Sequence, residues 1–223
     1  SRRTNASYRD TLHRFNYDVQ KVVFELTESS GFDFAKKFDR TPFVPKVDIL
    51  HDFEKIAALQ ENALIKRIKH VRAKSLVIGI SGGLDSTLAL LIAVRCYDNL
   101  GISRKEIIGV TMPGLHTSSI TKKNALDMMN NLGVTVLDID INEHVKAHFK
   151  LIGHDGITQD ITYENTQARA RTMILMNLAN KYNGIVLGTG DLSELVLGWC
   201  TYNGDQMSMY GINAGIPKTL VSF

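Results

Sequence analysis

The feature that most constrains this chain is an alternation of short apolar runs with longer, helix-like stretches. The runs occupy residues 75–80, 107–112, 134–139 and 185–187, and the helical patterns lie at 85–97, 118–132, 143–151 and 165–182. Strand, helix and next parallel strand connect with one hand, so repeating the unit winds helices over both sides of a sheet. The pattern predicts an α/β fold, a doubly wound parallel sheet with helices on both faces. Gly133 stands where a helix ends in left-handed backbone. Ahead of the first run, Phe53, Ile56, Ala57, Leu64, Ile68 and Val71 recur every three or four residues and predict a helix with one buried stripe.

Two segments fall outside this rhythm. Residues 1–45 hold a strand-like KVVFEL at 21–26 and then the charged, aromatic GFDFAKKFDRTPFVP, with Pro42 and Pro45 marking a boundary. They read as a leader or the tail of a preceding domain, and 46–223 as the main domain. At the other end IPKTLVSF opens a further helix, which predicts that the domain continues past Phe223.

Composition excludes several classes of function. Cys96 and Cys200 are the only cysteines among 223 residues, too few for a disulfide framework or a CxxC metal site. A net charge of +3 does not make a nucleic-acid-binding domain, and the basic run 66–74 reads as the wet side of a helix. The sequence contains no run of about 18 apolar residues to span a membrane. A soluble protein of the cytoplasm is the expectation.

In an open parallel sheet, ligands bind beyond the carboxyl ends of the strands. There the sequence places Ser81-Gly82-Gly83-Leu84-Asp85-Ser86, then residues 113–119 including His116 and Thr117, then residues 140–144, then Gly188-Thr189-Gly190-Asp191-Leu192-Ser193-Glu194. Gly82 and Gly83 let the backbone approach a ligand, and their N–H groups with the following helix start suit a phosphate. Ser81, Ser86 and Thr87 add hydroxyls. Asp85 would repel phosphate unless a cation lay between them, and magnesium is commonly held by one or two carboxylates plus phosphate oxygens. The loop therefore reads as a seat for a magnesium nucleotide. It lacks the lysine of a Walker P-loop and the spacing of G-x-G-x-x-G. The simpler alternative is a tight turn with Asp85 or Ser86 capping a helix.

SGGLDS after an apolar strand resembles the pyrophosphate-binding loop of the N-type ATP pyrophosphatases, whose fold is adenine nucleotide alpha hydrolase-like. GMP synthetase, asparagine synthetase, tRNA-thiolating enzymes and NAD synthetase share it. ENTQARAR at 164–171, LGTGDLSELVLGWCTYNGDQMS at 187–208 and NAGIPKTL at 213–220 resemble NAD synthetase, specifically the synthetase domain of the glutamine-dependent form. The resemblance implies a ligase that uses ATP to amidate deamido-NAD with ammonia, giving NAD, AMP and pyrophosphate. Another N-type pyrophosphatase is the alternative reading, and so is a non-catalytic nucleotide-binding module, which would have no use for Glu194 or GWCTY.

Carried over by residue, the resemblance implies that Gly79, Ile80, Ser81, Gly82, Gly83, Leu84, Asp85 and Ser86 hold ATP, with Thr189 and Lys218 on the same ligand. Asp85 and Glu194 become the catalytic pair and the magnesium ligands. Asn165, Arg169, Glu194 and the wall Trp199, Cys200, Thr201 and Tyr202 bind deamido-NAD, an aromatic face suiting its pyridinium. Arg171, two residues from Arg169 on a helix, is left as an ion-pairing support. Asp191 is open between a ligand role and a helix cap. The same resemblance implies a homodimer and, in a longer parent chain, a glutaminase domain that supplies ammonia. The run STLALLIAV, apolar all round, demands cover from another local segment or from a second subunit. His144, His148 and His154 are set aside as surface histidines, and neither cysteine is read as a nucleophile.

Overall fold

The computed structural model describes residues 20–25, 31, 36–115, 118–204 and 206–222. His116 and Thr117, part of one loop singled out above, lie outside the described residues. The chain divides into two units, Ser1–Arg40 and Thr41–Phe223. In the first, residues 20–25 carry no regular secondary structure, and Val22, Val23 and Phe24 are exposed. The strand expected at 21–26 is thus not formed over 21–25, and Leu26 lies outside the described residues. Apolar, β-branched composition alone does not make a strand, because the backbone groups need a neighbouring strand to bond.

The second unit runs α1 (Ile49–Val71), β1 (Ser75–Gly79), α2 (Leu84–Leu100), a 3₁₀ turn at Arg104–Glu106, β2 (Ile107–Thr111), α3 (Ser119–Leu132), β3 (Thr135–Asp138), α4 (Asn142–Ile152), α5 (Ile161–Lys181), β4 (Gly184–Gly188), α6 (Leu192–Leu197), β5 (Tyr210–Gly211) and α7 (Lys218–Val221). The strands form one parallel sheet in the order β3-β2-β1-β4-β5. Val77 lies between Ile108 and Val186 in register, so alternate residues of three strands line up on each face. Leu76, Ile78, Ile107, Ile185 and Leu187 meet α1, α2 and α3 on one side. Val77, Ile108, Val110 and Val186 meet α4 and α5 on the other. The doubly wound α/β arrangement is the one the alternation predicts.

The apolar helix α2 receives its cover locally. Its Leu90, Ala93, Val94 and Cys96 are buried in one core with Leu64 and Ile68 of α1. Burial of this helix therefore does not by itself call for a second subunit. The helix α5 starts at Ile161, four residues earlier than its apolar pattern suggests. Asp160 sets the start by accepting a hydrogen bond from Tyr163 N at 2.8 Å. Neither the short α6 nor β5 has enough residues to show a period.

Candidate active site

Sheet order reverses beside β1: β2 and β3 lie to one side, β4 and β5 to the other. At that switch point the chains leaving β1 and β4 part and open a crevice. A cavity of about 910 Å³ fills it, walled by the ends of β1, β2 and β4. Gly79, Ile80, Ser81, Asp85, Ser86 and Thr189 all line it.

The loop between β1 and α2 owes its shape chiefly to Gly82. Its φ of +85° is left-handed, and a Cβ there would stand 2.6 Å from the Thr121 carbonyl oxygen. Gly83 is different. It caps α2 in extended backbone, φ −90° and ψ 167°, which any residue adopts. So the paired glycines are not equivalent, and only Gly82 is demanded by conformation. Hydroxyls lock the turn: Ser86 Oγ and Thr87 Oγ1 each donate to the Gly83 carbonyl at 2.9 Å, and Gly83 N donates to Ser81 Oγ at 3.2 Å. No side chain caps α2 by hydrogen bond, contrary to the simple turn reading. Leu84 opens the helix and is exposed.

Asp85, on the first turn of α2, meets a lysine brought from 133 residues away. Lys218 Nζ donates to Asp85 Oδ2 at 2.6 Å, and lies 3.0 Å from Asp191 Oδ2 and 3.6 Å from Glu194 Oε1. Burial acts to lower the lysine pKa, but the contacts with Asp85 and Asp191 prevail and hold it above the ordinary lysine range. Asp191 is fully buried and caps α6, accepting from Glu194 N at 2.8 Å, while Glu194 Oε2 accepts from Asp191 N at 3.2 Å. The reciprocal pair is a capping box. Glu194 thus spends one carboxylate oxygen on the helix start and turns the other to Lys218. Asp85 Oδ1 is buried and has no hydrogen-bond partner among the described residues.

Trp199, Cys200 and Thr201 line the same cavity as the β1–α2 loop. Trp199 and Tyr202 are exposed, at 79% and 84%, so the single tryptophan is not core. From α5, Asn165 accepts from Thr201 Oγ1 at 2.7 Å and Arg169 Nε donates to the Tyr202 carbonyl at 3.1 Å. Both residues brace this wall. Arg171 lines the cavity and donates through Nε to the Met112 carbonyl at 3.3 Å, whereas Arg169 lies against the wall loop. The two arginines face different ways, as their spacing requires.

Residues 56–222 match the family described as NAD synthase. The chain belongs to the NAD synthase family. A glutamine-dependent NAD(+) synthetase of Mycobacterium leprae is 44% identical over 210 residues, which are 91% of this chain and 31% of that protein. An NH(3)-dependent NAD(+) synthetase of Pyrobaculum aerophilum is 36% identical over 154 residues, 69% of this chain and 56% of its own length. A solved glutamine-dependent NAD+ synthetase of Acinetobacter baumannii, in complex with ADP, superposes with a TM-score of 0.71 at 33% identity, covering 82% of this chain and 35% of that one. The chain thus spans about a third of the length of the glutamine-dependent relatives.

Within the family fold, sequence reasoning missed Asn213. This fully buried amide joins the start of α2 at Asp85, the Thr189 loop and α1. It sits inside the NAGIPKTL stretch that carried the resemblance, but a lone polar residue between Ile212 and Ala214 gives no sign of what it bonds. Of the three histidines set aside, His144 and His148 are exposed. His154 has both ring nitrogens engaged, Nδ1 accepting from Gly156 N at 3.0 Å and Nε2 lying 3.2 Å from Asp160, the cap of α5.

Proposed function

We propose that this chain performs the synthetase step of NAD formation, the ATP-dependent amidation of deamido-NAD. At neutral pH a carboxylate and an amine give a salt, so the carboxylate must first be activated. A nicotinate carboxylate oxygen attacks the α-phosphorus of ATP and the bond to the bridging oxygen breaks, releasing pyrophosphate and leaving an acyl-adenylate. Ammonia then attacks the acyl carbon, AMP departs with the bonding pair, and one proton is lost to water. The protein's part is positioning and charge neutralisation.

One observation carries this reading: the Ser81–Ser86 loop and the Trp199–Thr201 wall line the same cavity at the switch point. A phosphate seat and an aromatic-edged seat in one crevice suit two substrates that must meet. Lys218 stands at the phosphate side with a fixed positive charge, suited to the departing pyrophosphate. Asn165 and Arg169 set the wall's position through Thr201 and Tyr202, and Arg171 adds a cation to the cavity lining.

Magnesium fits the residues present. Asp85 Oδ1 is a buried carboxylate oxygen with no hydrogen-bond partner among the described residues. Magnesium commonly relies on one or two carboxylates and on phosphate oxygens. Asp85 and Glu194 would hold it, and it would supply charge against the triphosphate. Glu194 keeps its cap to α6 through Oε2 and offers Oε1.

The reading extends to the nitrogen donor and the assembly. Ammonia is the substrate of this domain, delivered free or from glutamine by a glutaminase domain, with residues 1–45 read as a leader or as the tail of such a domain. The names of both kinds of relative support this. A homodimer in the cytoplasm completes the reading, supported by exposed Leu195, Val196 and Leu197 beside the cavity wall and by two unpaired cysteines. Among the described residues no helix is long and apolar enough to cross a membrane. The deciding experiment measures pyrophosphate release from ATP with and without deamido-NAD and ammonia, on this chain and on its full-length parent. Release that ignores deamido-NAD in both proteins would sink the reading.

A further inference from the structure

We propose that Asn213 is a positioning residue that sets the spacing of the three segments gripping ATP. The role rests on the nucleotide-binding part of the reading above. Asn213 is fully buried, and its Nδ2 donates twice, to the Asp85 carbonyl at 2.9 Å and to the Thr189 carbonyl at 3.1 Å. Its Oδ1 accepts from Gln60 Nε2 of α1 at 3.3 Å, and Gln60 also donates to the Ile212 carbonyl at 2.9 Å. Its own carbonyl accepts from Ile216 N at 2.9 Å, closing the turn that returns the chain to Lys218. That return is then fastened to α6, for Leu192 N donates to the Ile216 carbonyl at 2.9 Å and Lys218 N donates to Ser193 Oγ at 3.0 Å.

One amide therefore ties the first turn of α2, the loop after β4 and the Lys218 segment into a single frame. The frame is needed because β1 and β4 part company here. The Asp85 and Thr189 carbonyls lie past the last paired residues of the two strands, so strand pairing cannot set the gap between their loops. Bridging two carbonyls takes two N–H donors on one short side chain. Asparagine has them, aspartate offers only acceptors and serine a single donor. Gln60 fixes the plane of the amide from behind, so that both donors point at the loops.

The test compares wild type, Asn213→Asp, Asn213→Ser and Gln60→Leu by calorimetric titration with magnesium-ATP on the folded fraction, together with steady-state kinetics. Asn213→Asp, which loses both donations to the loops, should weaken ATP binding by more than about tenfold, and Asn213→Ser, which keeps one donor, and Gln60→Leu, which leaves both donations in place, by less. KM for ATP should rise in the same order while KM for deamido-NAD stays within about twofold. An ATP affinity in the folded Ser and Leu variants equal to wild type, with only kcat or the yield of folded protein reduced, would overturn the role. Should Asn213→Asp not fold, those two variants still decide. Wild type that binds no magnesium-ATP would instead sink the functional reading itself.

Discussion

Lys218 Nζ lies 2.6 Å from Asp85 Oδ2, so the cation at the start of α7 answers the only acidic residue in the first turn of α2. The pair joins segments 133 residues apart in the chain. Because Lys218 is nearly half exposed, the contact itself adds little to stability. Its importance lies in the reaction. Lys218→Met should destabilise the fold by leaving the buried Asp191 carboxylate without its counter-charge, and in the folded fraction lower kcat/KM for ATP by about 10²–10³, as expected for loss of one fixed charge facing the leaving group. Wild-type kinetics in this variant would remove Lys218 from the mechanism.

Asp85 and Glu194 separate by experiment, although both carry carboxylates toward Lys218. Asp85 has no capping duty, so Asp85→Asn should abolish adenylylation with an unchanged melting temperature. Glu194 also closes the capping box of α6. Glu194→Gln keeps a capping side chain and should hold stability within about 1 kcal/mol while lowering the rate strongly. Rates at several magnesium concentrations check both, and a Glu194→Gln enzyme with unaltered magnesium dependence would argue against a metal role.

Gly82→Ala should disturb fold and site together. Alanine at φ +85° costs about 1–2 kcal/mol, and the new methyl meets the Thr121 carbonyl oxygen at 2.6 Å. Gly83→Ala, in extended backbone, should be much milder. Thermal melts and ATP titrations of the two variants test the distinction, and equal effects would contradict it.

The two thiols should differ sharply. Cys96 is fully buried, and burial, followed by the nearby Glu61 charge, pushes its pKa up to about 12, with Arg95 opposing. Cys200 is exposed. A thiol reagent on the native protein should modify Cys200 alone, and Cys96 only after unfolding. Because the folded pKa lies above the unfolded value of 9.0, the neutral thiol's contribution is complete below that pH and is lost as pH rises toward about 12. Denaturant unfolding of wild type against Cys96→Ala should show their stability difference shrinking across that alkaline window.

Much of this was legible in the sequence because periodicity is a local signal. The strand at Ser75–Gly79 and helix α2 were readable from alternation and from an all-round apolar run, and SGGLDS marked the turn whose Ser81, Asp85 and Ser86 line the cavity. The expected strand at 21–26 failed over 21–25 because composition cannot supply a pairing partner. Arg169 and Arg171 showed the other boundary, since their spacing said that they diverge but not which one faces the cavity.

The sequence by itself determined the α/β alternation, the place of the glycine turn after β1 and the family. Only the tertiary structure decided that Lys218 meets Asp85 and that Asn213 spans the Asp85 and Thr189 carbonyls. Backbone propensity and apolar period act between neighbours along the chain, whereas these contacts join residues more than 20 positions apart. They arise only when the sheet order brings the ends of β1 and β4 side by side.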